Sequence, residues 1–178
     1  MHKIALILIM SLLLPWSAMA KGPKARPVIT FETIAGVLPV LSGVGTANSA
    51  TDVNRNIVRG IQPAGLPWDV ESLRADVMST GMITLKVEGL LLEGGDGIGT
   101  NGNQKVFATL ACGAAAPFTL HSTAAAGVAV GLEGDFRITD ALVPVPPATC
   151  VSPLLLIRNV QGDWVAAGYV IGLEDLSD

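Results

Sequence analysis

This sequence predicts an all-β fold, an antiparallel sandwich of two sheets, on three observations. Runs of alternating apolar and polar residues recur along the chain, separated by turns drawn from its 20 Gly and 11 Pro. These strand-like runs do not alternate with long helical stretches, which a parallel α/β sheet would require. Two cysteines, Cys112 and Cys150, bracket the most regular run. A β-barrel is the alternative, because strand counts read from sequence do not separate the two architectures.

The most regular run is Val128 to Ile138, VAVGLEGDFRI. Val128, Val130, Leu132, Phe136 and Ile138 fall on one face, with Ala129, Gly131, Glu133, Asp135 and Arg137 on the other. Side chains alternate across a strand, so the run predicts a half-buried strand with one wet side.

Residues 1–20 lie outside this fold. A short basic start at His2 and Lys3, an apolar stretch from Ile4 to Leu14 and the small residues Ala18 and Ala20 around Met19 read as a cleaved signal peptide. The apolar stretch is too short for a helix that spans a bilayer core of roughly 30 Å. The mature chain would begin at Lys21 and hold 158 of the 178 residues, the size of one ordinary domain. Its formal charge falls from −4 to −5 with the loss of Lys3. A mildly acidic chain without a basic cluster points to no nucleic acid partner. The lack of a long apolar run argues against stable membrane insertion. Export would place the chain in the periplasm or outside the cell, where disulfides persist, so Cys112 and Cys150 are expected to pair. Closing the loop of about 38 residues between them contributes about 4 kcal/mol in the chain-entropy model.

Lys21 to Pro27 reads as a flexible leader, 28–172 as a single β-sandwich domain, and 173–178 as an acidic tail. Val28 to Ile34 is β-branched and aromatic and predicts a strand. Leu38 to Asp52 has no periodicity and reads as a loop. Arg55 to Ile61 is a short strand candidate, closed by the turn-rich QPAGLP at 62–67. Trp68 to Ser79 supports two readings. Val70, Leu73, Val77 and Met78 suit a helix, whereas Leu73, Ala75 and Val77 alternate with Ser72, Arg74 and Asp76 as in a strand. In a β chain the strand is preferred.

From Met82 the alternation sharpens, with Ile83, Leu85, Val87 and Leu91 opposite Thr84, Lys86 and Glu88. A glycine-rich loop at 93–103 leads into Lys105 to Cys112, and Pro117 to His121 is a brief further strand. Ala141 to Pro153 is proline-rich and extended. Leu154 to Asn159 and Trp164 to Ile171, joined by Val160-Gln161-Gly162-Asp163, predict a hairpin.

FETIAGV (31–37), IVRGIQPAGLPW (57–68), LKVEGLLLEG (85–94), FATLAC (107–112), ATCVSPLLLIRN (148–159) and QGDWVAAG (161–168) together resemble a family of uncharacterised secreted bacterial β-rich proteins with a paired cysteine. The resemblance spans most of the mature chain. It implies a secreted β-fold and carries no activity to transfer.

The residues point to no catalytic set. His121 is the one histidine after the signal, and it sits in an alternating run, where a strand histidine beside water or a polar neighbour is expected. No Gly-x-Ser-x-Gly elbow surrounds a serine. Glu133 and Asp135 share a face and could serve a hydrolase as paired carboxylates, but any wet strand face has that pattern. One histidine does not build a typical zinc or copper site. In the loop EGGDGIGTNGN, Asp96, Asn101 and Asn103 are oxygen donors that could converge on calcium, but calcium sites normally gather more than one carboxylate, and a flexible connection between strands is the plainer account. Trp68 and Trp164 are either core residues or platforms for a sugar ring, Trp164 beside the Gly162-Asp163 turn.

The expectation is therefore a secreted, non-enzymatic β-sandwich, a structural or interaction module with a protein or glycan partner. The alternative is a carbohydrate-binding or calcium-dependent module.

Overall fold

The computed structural model describes residues 27–40 and 54–170. The expected signal peptide, all of the leader but Pro27, most of the 38–52 loop and the acidic tail lie outside the described residues. Twelve strands and no helix form among those that are described. They are β1 (Pro27–Phe31), β2 (Thr33–Gly36), β3 (Trp68–Asp69), β4 (Ser72–Met78), β5 (Met82–Glu88) and β6 (Leu91–Leu92), then β7 (Lys105–Cys112), β8 (Thr119–Ser122), β9 (Val128–Ala129), β10 (Phe136–Ala141), β11 (Leu154–Asn159) and β12 (Trp164–Tyr169).

One sheet runs β1-β4-β5-β10 and the other β2-β12-β11-β7-β8, with β9 also on β7 and β3-β6 as a separate pair. Every pairing between these strands is antiparallel. Neither sheet closes on itself, so the fold is the sandwich and not the barrel.

Alternation decides which face each strand buries. In β4, Leu73, Ala75 and Val77 are buried, as the strand reading of this stretch requires. In β5 the matching residues are Ile83, Leu85 and Val87. They meet the inner faces of β7, β11 and β12, and Leu73 packs against Gly168, where a side chain would crowd it. Leu85, Leu110, Leu155 and Ile157 are fully buried, and each such side chain contributes about 1.5–3 kcal/mol by leaving water.

β7 carries an apolar residue at almost every position because it is buried on both faces. The segment 54–67 is bridged to β12 at Pro63 and Trp164. Arg59 donates to the carbonyls of Gly113 and Ser152 and stacks over the Phe118 ring. Ala64 donates to the Trp164 carbonyl, and Trp164 donates to that of Gln62. The predicted strand at Arg55 to Ile61 is therefore corrected: this segment makes isolated bridges, Val40 to Arg55 and Val58 to Ile61.

Two predicted strands prove to be two strands each, because the chain crosses between sheets within them. In Val28 to Ile34, Phe31 pairs with Ala75 in one sheet, and Thr33 pairs with Tyr169 in the other. The break falls at Glu32, whose carboxylate accepts from Arg74 Nη1 at 2.6 Å. In Val128 to Ile138, β9 pairs with β7 and β10 with β5. Gly131 to Asp135 form the turn between them, in which Gly131 donates to the Asp135 carbonyl and Gly134 adopts φ +86°. Val130, Phe136 and Ile138 are buried as expected, whereas Leu132 is 84% exposed at the turn. The register past β5 also shifts. Gly89 takes φ +70°, so Leu90 and Leu92 are buried and Leu91 is half-buried.

Cys112, at the end of β7, is disulfide-bonded to Cys150, ahead of β11, with a Cα–Cα distance of 5.1 Å. This is inside the usual range for such bridges.

Candidate functional site

At one end of the sandwich a cleft of about 260 Å³ opens between Ala64–Leu66, Trp68, Leu92, Gly102, Gln104 and Asn159. Three separate stretches of chain build it. Trp68 is held by its backbone N–H, which donates to the Val37 carbonyl at 3.0 Å, and β3 pairs it with Leu92. The glycine-rich loop folds back on this pair. Gly102 adopts φ +54° and lies so close to Leu92 and the Trp68 ring edge that a side chain there would meet both. Glu93 donates to the Pro67 carbonyl at 3.0 Å and secures the loop to the 64–68 segment.

Asn159 ends β11, faces inward opposite Val106, and is only 9% exposed. Its side-chain oxygen accepts from the backbone N–H of Asp163 at 2.9 Å. A backbone N–H can face only an acceptor, so this contact fixes the orientation of the carboxamide and leaves its NH₂ group pointing away. Gln104 is fixed in the same manner, with Nε2 donating to the Gly102 carbonyl at 3.2 Å and Oε1 left over.

The two tryptophans thus differ. Both are buried, at 4% and 3% exposure, so neither offers a broad open face. Trp164 donates its indole N–H to the Asn56 carbonyl at 2.9 Å and holds the 54–67 strap. Trp68 forms one wall of the cleft.

The three expected calcium donors are not arranged alike. Asn101 Nδ2 donates to the carbonyls of Val130 and Gly131, and its Oδ1 accepts from the Asn103 N–H at 2.9 Å. Asn103 sits at φ 52° in this turn, and Asp96 is exposed. Thr100 Oγ1 donates to the Gly97 carbonyl at 2.7 Å. The loop therefore satisfies much of its own polarity. Among the described residues no group of three His, Cys, Asp or Glu side chains could hold a metal ion.

The paired carboxylates do not share a strand face, because Glu133 and Asp135 lie in the turn before β10. Asp135 Oδ1 accepts from the Gly89 N–H at 3.1 Å and ties that turn to the end of β5. His121 is buried on β8 with both ring nitrogens engaged, Nδ1 with the Pro144 carbonyl at 2.7 Å and Nε2 with Thr119 Oγ1 at 3.3 Å. Arg158 lies over the Phe107 ring and donates to the Gly162 carbonyl, and partial burial lowers its pKa.

Asn159 and Gln104 were not among the residues the sequence singled out. Amides at the ends of strand-like runs look like ordinary turn residues. Only the fold brings them beside Trp68.

The fold and site define an all-β sandwich closed by one disulfide, with a small uncharged cleft at one end. Family models, curated proteins and solved structures give no match to this chain.

Proposed function

We propose that this chain is a secreted, non-enzymatic β-sandwich that acts as an interaction module in the cell envelope or outside the cell. One observation carries the reading: the histidine, both cysteines and several of the carboxylates are engaged in holding the fold. His121 bridges Pro144 and Thr119, Cys112 and Cys150 are joined, and Asp135 fastens a turn. Asp140 accepts from the Ala124 and Ala141 N–H groups, and Asp76 accepts from Thr30 Oγ1. A general base must be within reach of a substrate proton and able to take it. The disulfide and the signal-like sequence of residues 1–20 support export.

The cleft beside Trp68 favours the ligand-binding form of this reading, in which an interaction partner enters a preformed, mainly apolar cleft with two amides. Incubation of the purified, oxidised protein with chromogenic glycosides, esters and peptides tests the non-enzymatic claim. No product above the rate in buffer is expected. Turnover that Asp135→Asn or His121→Gln abolishes in a still-folded protein would overturn it.

A further inference from the structure

Polar groups without partners gather at the Trp68 cleft. The carboxamide nitrogen of Asn159 and the indole N–H of Trp68 donate to nothing among the described residues, and Gln104 Oε1 accepts from nothing there. No fully enclosed side-chain nitrogen or oxygen lacks a partner, so the nitrogens of Asn159 and Trp68, both on residues more than nine-tenths buried, retain contact with solvent. The residues Asn159, Trp68 and Gln104 all line the cleft. Such a site presents fixed amides on Asn159 and Gln104 next to the exposed apolar side chain of Leu66 and the buried edges of Trp68 and Leu92. No charged side chain lines it.

We infer that this cleft binds one neutral sugar unit, the exposed end of a glycan chain. The inference rests on the interaction-module reading and gives it a ligand class. A sugar ring has an apolar C–H face for the exposed side chain of Leu66, and its hydroxyl groups both donate and accept at the rim. Because their backbone contacts fix the Asn159 and Gln104 amides, little ordering is required on binding. The volume of about 260 Å³ lies just below the roughly 300–1,000 Å³ of clefts that take drug-sized molecules, which suits a single ring. An anionic sugar would bring a carboxylate into a cleft with no cation to meet it.

The test is a titration of the ¹⁵N-labelled, oxidised protein with the methyl glycosides of glucose, galactose, mannose and N-acetylglucosamine, with methyl glucuronide as the charged control. At least one neutral glycoside should shift the Asn159 side-chain NH₂ pair and the Trp68 indole N–H together, and the charged control should not. Gln104→Ala, which loses only a contact to Gly102, should weaken binding at least tenfold in a folded protein. Asn159→Asp keeps the acceptor for Asp163 and loses the donors, so it should also weaken binding. If that variant fails to fold, Gln104→Ala carries the test. Absence of any shift, or shifts confined to other residues, would overturn the inference and leave the interaction-module reading standing. Cleavage of a bound glycoside would overturn the non-enzymatic reading instead, while the paired shifts still support the cleft.

Discussion

The carbonyl oxygen of Trp68 occupies the place where a Cβ on Gly36 would stand. β3 crosses the end of β2 at this contact, and the hydrogen bond from Trp68 N to Val37 O holds it there. Position 36 therefore takes glycine for the space it leaves, and the cleft wall depends on it. Gly36→Ala must displace backbone and should destabilise the protein by about 1–3 kcal/mol or more. Urea denaturation measures this, and a midpoint within error of the parent protein would contradict the contact.

The disulfide joins the end of β7 to the approach to β11 across a sequence separation of 38. Replacement of both Cys112 and Cys150 by Ala should cost about 4 kcal/mol if restriction of the unfolded chain dominates. Reversible denaturation of the oxidised parent and of the cysteine-free variant gives the difference. Equal stability would mean that strain in the folded state cancels the gain.

On the solvent face, Glu88 accepts from Lys86 Nζ and from Ser72 Oγ, the latter at 2.9 Å. The hydrogen bond from Lys86, followed by that from Ser72, holds its carboxyl below the ordinary value of 4.5. A pKa lowered by folding favours the folded state above the unfolded value, and the benefit is lost as pH falls through the folded value. Lys86→Met should raise the Glu88 midpoint toward 4.5 in a carboxyl-carbon NMR titration. An unmoved midpoint would show that the ion pair is absent in solution.

Calcium should not raise the melting temperature relative to a chelator. Asn101 already uses its amide nitrogen on Val130 and Gly131 and its oxygen on Asn103, so binding a cation would require the turn to be broken. A ligand specific to the folded state raises the melting temperature by mass action. A calcium-dependent rise of several degrees would show that the 93–103 loop rearranges into a site.

Much of the sheet could be read from the chain because period-two alternation reports burial directly. Leu73, Ala75 and Val77, then Ile83, Leu85 and Val87, face the core as their spacing requires. The hairpin of β11 and β12 was legible from the Gly162-Asp163 turn between two strand-like runs, and the pairing of the cysteines from the expected export rather than from any local pattern. The crossings between sheets were not. Across Gly131 to Asp135 the alternation resumes in phase, with Val130, Phe136 and Ile138 all buried from opposite sheets, so the break leaves no mark. At Glu32 the phase flips, from buried Phe31 to exposed Thr33 and half-buried Ile34, within too few residues to read. The cleft was legible only in part. Trp68 and the glycine-rich loop were singled out separately, but their meeting depends on the β3–β6 pair, two residues on each side. Asn159 and Gln104 carry no local mark of their role.

Export into an oxidising compartment is the claim on which the functional account depends most. Expression of the full chain in a bacterial host, followed by thiol labelling and intact mass measurement of cytosolic, periplasmic and medium fractions, tests it most directly. The account predicts a chain that begins at Lys21, outside the cytosol, with Cys112 and Cys150 unreactive until reduced. A chain that retains Met1 in the cytosol with both thiols free and the sandwich still folded would contradict it.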